Sequence, residues 1–175
     1  HYILQENERE IGIGSNNIKA VYVDEQKSLV YIGTHAGGLT VLHRNSGQME
    51  SFNQLNSQLV NENVYAILPD KEGSILLGTL SALVSFNPEK RSFTTIDKEK
   101  DGTPFTSQRI TILFRDSRKR LWIGGEEGIS VFQQEGIEIE KAPILPESSV
   151  TKMFTNCIYE AANGIIWVGT REGFY

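Results

Sequence analysis

The sequence predicts an all-β protein whose strands form the four-stranded antiparallel blades of a β-propeller. A short apolar phrase closed by a glycine recurs four times, and its glycines are 45, 46 and 45 positions apart. Apolar residues cluster in short runs and not at helical spacing, so almost no helix is expected. Turn residues separate the runs. Four evenly spaced strands in about 45 residues are typical of a propeller blade.

The repeated phrase fits the second strand of each blade. Its copies occupy residues 30–34, 75–79, 121–125 and 166–170. The apolar run is continuous, which is typical of a strand covered on both faces, here by the neighbouring blades. We expect its glycine to let the chain leave the strand tightly and to let a neighbouring backbone approach.

Side-chain size follows the repeat as well. Trp122 and Trp167 are expected to fill the wedge between blades, and the aligned residues Tyr31 and Leu76 are also large. The first strands carry smaller side chains at matched positions, which are Ala20, Ala66, Ile112 and Cys157. A strand near a crowded axis needs such a taper. We therefore expect Cys157, the only cysteine, to be a buried filler and not a nucleophile.

Three further strands complete each predicted blade. The first strands read IKAVYVD, VYAILPD, ITILFRD and TNCIYEA. Turn residues such as KEG at 71–73 and Asn-Gly at 163–164 join them to the phrase. Third strands (GLTVLHR, ALVSFNP, GISVFQQ) and more polar fourth strands (GQMESFN, RSFTTID, GIEIEKA) follow.

The whole chain, 1–175, is predicted to be a single propeller segment. Residues 1–15 match the third and fourth strands of a blade, and 154–175 supply a first strand, a second strand and the start of a third. The complete blades are predicted at 16–61, 62–107 and 108–153. Three outcomes stay open: closure into a four-bladed ring, exchange of halves between two chains, or an open piece whose free strand edges favour self-association. The chain opens on His1 inside patterned sequence, so we expect a segment of a longer protein.

Composition narrows the function classes. The net charge of −5 argues against nucleic-acid binding, which requires a basic face. No apolar run reaches the roughly 20 residues that span a bilayer. The three histidines are far apart in sequence and none has a partner at metal-ligand spacing, so we predict no metal and no cofactor.

Three stretches carry a family resemblance: NGIIWVGTREG (163–173), RLWIGGEEGISVF (120–132) and YIGTHAGGLTVLHRNSG (31–47). With them, essentially the whole chain resembles the two-component regulator propeller repeats. These repeats form the sensor regions of hybrid two-component systems common in gut Bacteroidetes. Two copies depart from the pattern: SILLGTLSAL lacks the tryptophan and the second glycine, and WIGGEEG has glycine in place of threonine.

The resemblance implies a periplasmic location and a membrane-anchored parent protein. In that family an immunoglobulin-like module, one membrane span, a histidine kinase, a receiver and a DNA-binding helical domain follow the propellers. The implied signals are breakdown products of polysaccharides. None of the signalling parts falls within these residues, so the segment is expected to sense or assemble but not to phosphorylate.

A binding site is expected at one mouth of the propeller channel. There the loops between second and third strands meet those that lead into the next blade. These loops carry Asn17, His35, Asn63, Arg109, Glu126, Glu127, Asn156, Arg171 and Glu172. Amides, an imidazole, arginines and carboxylates on one mouth can hydrogen-bond sugar hydroxyls. The alternative is that they are ordinary solvated loop tips. The basic run at 118–120 is expected to be a solvated turn on the opposite face.

Three hypotheses follow. The first is a sensor segment that binds an oligosaccharide, in which His35 and Arg171 support the ligand response. The second is a scaffold whose propeller mediates dimer or protein contacts. The third is a propeller lyase, which needs His35 to converge with Glu126, Glu127 or Glu172.

Overall fold

Four antiparallel sheets follow one another along the chain in a computed structural model that describes residues 12–105, 109–142 and 153–175. The first sheet contains β1 (Ile18–Asp24), β2 (Leu29–Thr34), β3 (Leu39–His43) and β4 (Met49–Phe52). The second contains β5 (Val64–Pro69), β6 (Ile75–Thr79), β7 (Leu83–Asn87) and β8 (Ser92–Ile96). The third contains β9 (Ile110–Arg115), β10 (Leu121–Gly125), β11 (Gly128–Glu135) and β12 (Glu138–Lys141). The fourth contains β13 (Thr155–Glu160), β14 (Ile166–Thr170) and β15 (Gly173–Phe174).

The predicted all-β blade architecture is confirmed. Within each sheet the strands are ordered as the chain runs, so every connection is a hairpin. Within the described ranges, the helical structure is limited to one 3-10 turn at Lys71–Gly73, which is the predicted turn between β5 and β6. The repeated phrase lies on β2, β6, β10 and β14, which are the second strands.

The sheets stack face to face in sequence order. The first strands β1, β5, β9 and β13 each contact the next, so they lie closest together. Tyr31 and Phe86 belong to the core between the first two sheets, and Leu76 and Leu121 to the core between the second and third. Trp122 packs with Val168 between the third and fourth sheets. Burial of one such side chain is worth about 1.5–3 kcal/mol.

The glycine of the phrase allows close approach of the next sheet, as predicted. A Cβ on Gly33 would lie 2.8 Å from both the Cγ1 and the carbonyl oxygen of Val64, the first residue of β5. A Cβ on Gly78 would lie 2.6 Å from the Cγ2 of Ile110, the first residue of β9. The phrases of the first two sheets therefore receive the start of the following blade.

Two predictions for the fourth sheet are wrong. Trp167 is 42% exposed, whereas Trp122 at the same place in the phrase is 3% exposed. Cys157, expected to be a buried filler, is exposed. Both residues lie on the face of the fourth sheet opposite to Val168, because side chains alternate along strands. The described residues leave this face open, whereas the following sheet covers the corresponding face of each earlier sheet.

The first 15 residues, predicted to form the end of a blade, are only partly described. Residues 1–11 lie outside the described ranges, as do 106–108 and 143–152. Ile13 is buried, and the Gly12 carbonyl accepts a 2.7 Å hydrogen bond from the Ser51 hydroxyl of β4. The blade boundaries, and the choice among a closed, exchanged and open arrangement, stay predictions.

Candidate functional site at the channel mouth

The same backbone arrangement recurs at one end of the sheets. The first amide after the second strand donates to the carbonyl of a residue just before the first strand. The bonds are His35 to Asn17 (2.9 Å), Leu80 to Asn63 (3.2 Å) and Arg171 to Phe154 (3.3 Å). The two predicted loop sets therefore meet at one end of these three sheets, and the same backbone arrangement presents a different side chain in each of them.

The threonine of the phrase closes the loop that follows it. Its hydroxyl donates to a carbonyl at the far end of the loop, from Thr34 to Gly38 at 3.1 Å and from Thr170 to Gly173 at 3.0 Å. In the third sheet Gly125 replaces this threonine. A Cβ there would lie 2.1 Å from the carbonyl oxygen of Arg109, so the substitution makes room for the Arg109 backbone.

A β-bulge lies at the mouth end of every first strand. The pairing between first and second strands skips one residue at that end in all four sheets. The residues skipped are Lys19, Tyr65, Thr111 and Asn156. Bulges redirect side chains and are frequent beside functional sites. Of these four residues, only Asn156 is among those that the sequence predicts at the channel mouth.

Tyr65 is the centre of the mouth. Its hydroxyl shares a 3.2 Å hydrogen bond with Nδ1 of His35, from the loop after β2. The guanidinium carbon of Arg109, the residue before β9, lies 5.7 Å from the centroid of the Tyr65 ring. Tyr65 therefore connects a loop of the first sheet to the start of the third.

Arg109 has an unusual backbone and a partly satisfied side chain. Its φ of 51° lies in the left-handed region, which long side chains rarely adopt. Its amide donates to the Leu80 carbonyl at 2.8 Å. One guanidinium nitrogen lies 3.8 Å from a Glu126 carboxylate oxygen, at the edge of ion-pair distance. Its Nε is buried, and none of the described residues offers it an acceptor.

We name His35, Tyr65, Arg109 and Glu126 the mouth cluster. Three of these residues were predicted from the sequence, and Tyr65 was missed. Asn63, also predicted, supports the cluster from below: its side-chain oxygen accepts the Ala36 amide at 3.2 Å and so holds the loop that carries His35.

The other predicted residues are placed differently. Arg171 lies over the Phe154 ring at 4.2 Å, and the Glu172 amide donates to the Thr170 hydroxyl, so these contacts remain within the fourth sheet and its flanks. The side chains of Asn17, Glu127 and Asn156 are exposed. Within the described residues, no group of three or more histidine, cysteine or acidic side chains is placed to hold a metal ion.

The opposite end of the third sheet corrects another prediction. Arg120 belongs to the basic run expected to be solvated, but its side chain is only 12% exposed and pairs with the buried Asp116. Asp116 also accepts a 2.9 Å hydrogen bond from the indole nitrogen of Trp122. Burial raises the pKa of Asp116. Hydrogen bonds from Trp122 and Arg120, together with the Arg120 charge, lower it by more, so the pKa lies below its usual range. These buried contacts of Asp116 stabilise this end of the third sheet.

Comparison with known proteins identifies the repeats. The model of the two component regulator propeller matches residues 104–127 and 148–172. These two stretches are similar to two-component regulator propeller repeats. Both matches include a copy of the phrase, on β10 and β14 respectively. In the described part of the chain no helix is long and apolar enough to cross a membrane.

Three proteins are similar to this chain. Histidine kinase P4 of Formosa agariphila is 26% identical over 148 residues, which are 82% of this chain and 10% of that protein. The extracellular domain of a protein assigned as the hybrid two component system BT3049, from B. thetaiotaomicron, is 21% identical with a TM-score of 0.76; the match covers 99% of this chain and 24% of that one. PorZ of Porphyromonas gingivalis, a surface component of the type-IX secretion system, is 12% identical with a TM-score of 0.53, over 98% of this chain and 33% of that one. The chain spans at most a third of each relative.

Proposed function

We propose that this chain is a ligand-binding segment of the periplasmic sensor region of a hybrid two-component regulator, and that its ligands are oligosaccharides derived from polysaccharides. The observation that carries the proposal is the mouth cluster, in which side chains of three successive sheets meet around Tyr65. The two-component regulator propeller repeats, and the resemblance to a histidine kinase and to an extracellular sensor domain, support the setting.

The chemistry of the cluster suits a sugar. Its imidazole, phenol, guanidinium and carboxylate offer both donors and acceptors for hydroxyl groups. Tyr65 adds a half-buried aromatic surface for the apolar face of a ring. A ligand across His35, Tyr65 and Arg109 would touch three sheets and so change how they pack. Signalling requires the ligand to prefer one packing arrangement over another. A ligand shifts an equilibrium between two states only by its differential affinity for them.

We infer a binding role and not a catalytic one. A lyase needs an imidazole and an acid that act together. His35 instead shares its hydrogen bond with Tyr65, and Glu126 is the ion-pair partner of Arg109. The kinase, the membrane anchor and the DNA-binding part of the proposed regulator belong to the longer protein.

The test is a thermal-unfolding screen of this chain against neutral and acidic oligosaccharides from plant, algal and host polysaccharides, on protein of known solution mass. A ligand present at 100 times its Kd stabilises the native state by about 2.7 kcal/mol, which raises Tm by roughly 5–11 °C. We expect a reproducible rise with one class of glycan. A flat response across the panel would contradict the proposal.

Matched variants locate the response. His35→Ala and Tyr65→Ala should remove most of the rise in Tm. Arg44→Gln, in the turn between β3 and β4 at the opposite end of the first sheet, should retain it. Arg171→Ala tests the fourth-sheet loop separately. We expect a smaller effect there, because Arg171 is engaged with Phe154. A response lost in Arg171→Ala and kept in His35→Ala would move the site to the fourth sheet.

A scaffold role is the second candidate, and the open face of the fourth sheet favours it. Tyr159, Trp167 and Phe174 are 66%, 42% and 75% exposed on the fourth sheet. Aromatic surface of this kind marks interaction sites. The similarity to PorZ, a surface component of a secretion system, fits a propeller that assembles. Sedimentation analysis of the wild type and of Trp167→Lys tests this: self-association lost in the variant supports the scaffold, and a monomeric wild type contradicts it for this chain.

A further inference from the structure

We propose that the mouth cluster binds an acidic sugar, and that Arg109 is the partner of the uronate carboxylate. The inference rests on the proposed function, since it takes the site as a glycan site and adds the charge of the ligand. Its starting point is an arginine that the fold holds in place but leaves incompletely paired.

The backbone of Arg109 is fixed on two sides. Its amide is bonded to the Leu80 carbonyl of the second sheet, and its carbonyl fits against Gly125 of the third. A left-handed conformation is strained at a non-glycine residue, and such residues concentrate where the surrounding structure imposes them, often at ligand sites. The arginine is therefore presented at the mouth by the packing of two sheets.

The side chain of Arg109 retains capacity for an anion. Its Nε is buried without an acceptor among the described residues, and its Glu126 contact is long at 3.8 Å. Both side chains of that pair are also about half-exposed, so solvent screens it and the ion pair is weak. A cationic ligand would be repelled by the guanidinium charge. A carboxylate would bring two oxygens, which match the fork of guanidinium donors.

Tyr65 and His35 orient this donor set. The Tyr65 ring lies beneath the guanidinium at cation-π distance, and its hydroxyl is held by His35. The ring therefore limits where the arginine can move. Glu126 then acts as an internal competitor, because a ligand carboxylate would displace it from Arg109.

The test is isothermal titration calorimetry at low salt with trisaccharides of galacturonate, mannuronate and glucuronate, each beside its carboxyl-reduced form. We expect one acidic trisaccharide to bind about tenfold more tightly than its reduced form, the factor that one charge-assisted hydrogen bond supplies. Arg109→Gln should lose that factor, and Glu126→Gln should gain affinity. Arg44→Gln removes the same charge from the turn between β3 and β4, away from the mouth, and should bind like the wild type.

The outcomes separate the two proposals. Equal binding of acidic and reduced forms, abolished by Tyr65→Ala, would overturn the acidic-sugar inference and keep the glycan site. A loss of affinity in Glu126→Gln with a gain in Arg109→Gln would overturn it in favour of a cationic ligand. Binding of none of the acidic forms would also overturn it, while the neutral members of the thermal panel decide the proposed function. Far-ultraviolet circular dichroism confirms that each variant is folded.

Discussion

The third and fourth sheets contain the same phrase around a tryptophan, yet the two indoles have different surroundings. Trp122 is 3% exposed, and its ring nitrogen donates to Asp116. Trp167 is 42% exposed and has Phe174 of its own sheet as its aromatic neighbour, 5.8 Å away. The phrase determines a strand and the loop after it. Burial comes from the sheet that packs on it.

The mouth differs between these sheets in the same way. Where another sheet follows, a mouth residue can contact a residue of that next sheet. Tyr65 of the second sheet contacts Arg109, which lies just before the third. In the fourth sheet, Arg171 instead packs on Phe154, just before β13 of that sheet. Contact between successive sheets is therefore what brings the residues of the mouth cluster together.

The largest expected effect separates the two tryptophans. Trp122→Ala should destabilise the protein by about 4 kcal/mol, because it leaves a cavity between two sheets. Trp167→Ala should cost less than about 1 kcal/mol, because the side chain is already solvated. Urea denaturation measures both. Equal costs would show that the face around Trp167 is covered in solution.

The carboxylate beneath Trp122 should be nearly as important. Asp116→Ala removes the partner of Arg120 and of the Trp122 nitrogen, and loss of one member of a buried pair costs about 3 kcal/mol. Because the pKa of Asp116 is lowered, its stabilisation is present above the ordinary carboxyl pKa and is lost as pH falls through the lowered value.

Denaturation curves between pH 7 and pH 2 test the direction of this pH dependence of stability. The wild type should lose the Asp116 contribution on acidification, and Asp116→Ala should show a correspondingly shallower loss. Asp101→Ala is the matched control, since Asp101 also has a lowered pKa, caused first by hydrogen bonds from Thr103, but lies in an exposed turn. A steeper acid loss in Asp116→Ala than in the wild type would contradict the assignment.

A smaller effect is expected at Tyr31, the residue of the first sheet that aligns with the tryptophans. Its hydroxyl is buried without a hydrogen-bond partner among the described residues, so Tyr31→Phe should stabilise the protein by about 1 kcal/mol. Burial, followed by the charges of Asp24 and Tyr22, raises the pKa of Tyr31 to about 12.

The stabilisation of neutral Tyr31 is therefore complete below pH 10 and is lost as pH rises toward 12. Unfolding curves between pH 9 and pH 12 should show a smaller alkaline loss in Tyr31→Phe. The exposed Tyr159→Phe serves as the control and should follow the wild type. An unchanged alkaline loss in Tyr31→Phe would rule out this tyrosine as its source.

The smallest effect concerns the backbone of the mouth. Arg109→Gly and Arg109→Ala both remove the side chain, but only glycine adopts a φ of 51° without strain. The glycine variant should be more stable than the alanine variant by less than about 1 kcal/mol, because the greater freedom of glycine in the unfolded chain offsets part of the relieved strain. Equal stability would mean that the loop before β9 relaxes in solution.

The sequence predicted the strands, their order and the blade type, because the period of the phrase and the glycines and turn residues between apolar runs are local signals. It also predicted His35 and Arg109 at the mouth. It missed Tyr65, since a tyrosine inside VYAILP looks like any strand residue and nothing local marks a bulge. Alignment of the four first strands offers a signal: Lys19, Tyr65, Thr111 and Asn156 share one position, differ in chemistry and follow a mainly aliphatic residue. The exposure of Trp167 and Cys157 was not predictable, because it depends on which surface packs against the fourth sheet.

The most direct measurement is an amide chemical-shift titration of ¹⁵N-labelled protein with the oligosaccharide that raises Tm most. A binding site at the channel mouth predicts that the largest shifts fall on residues 34–38, 63–65, 109–110 and 125–127, and that Arg109→Gln reduces them. Shifts confined to the open face of the fourth sheet, around Tyr159 and Trp167, would contradict a site made by contact between successive sheets.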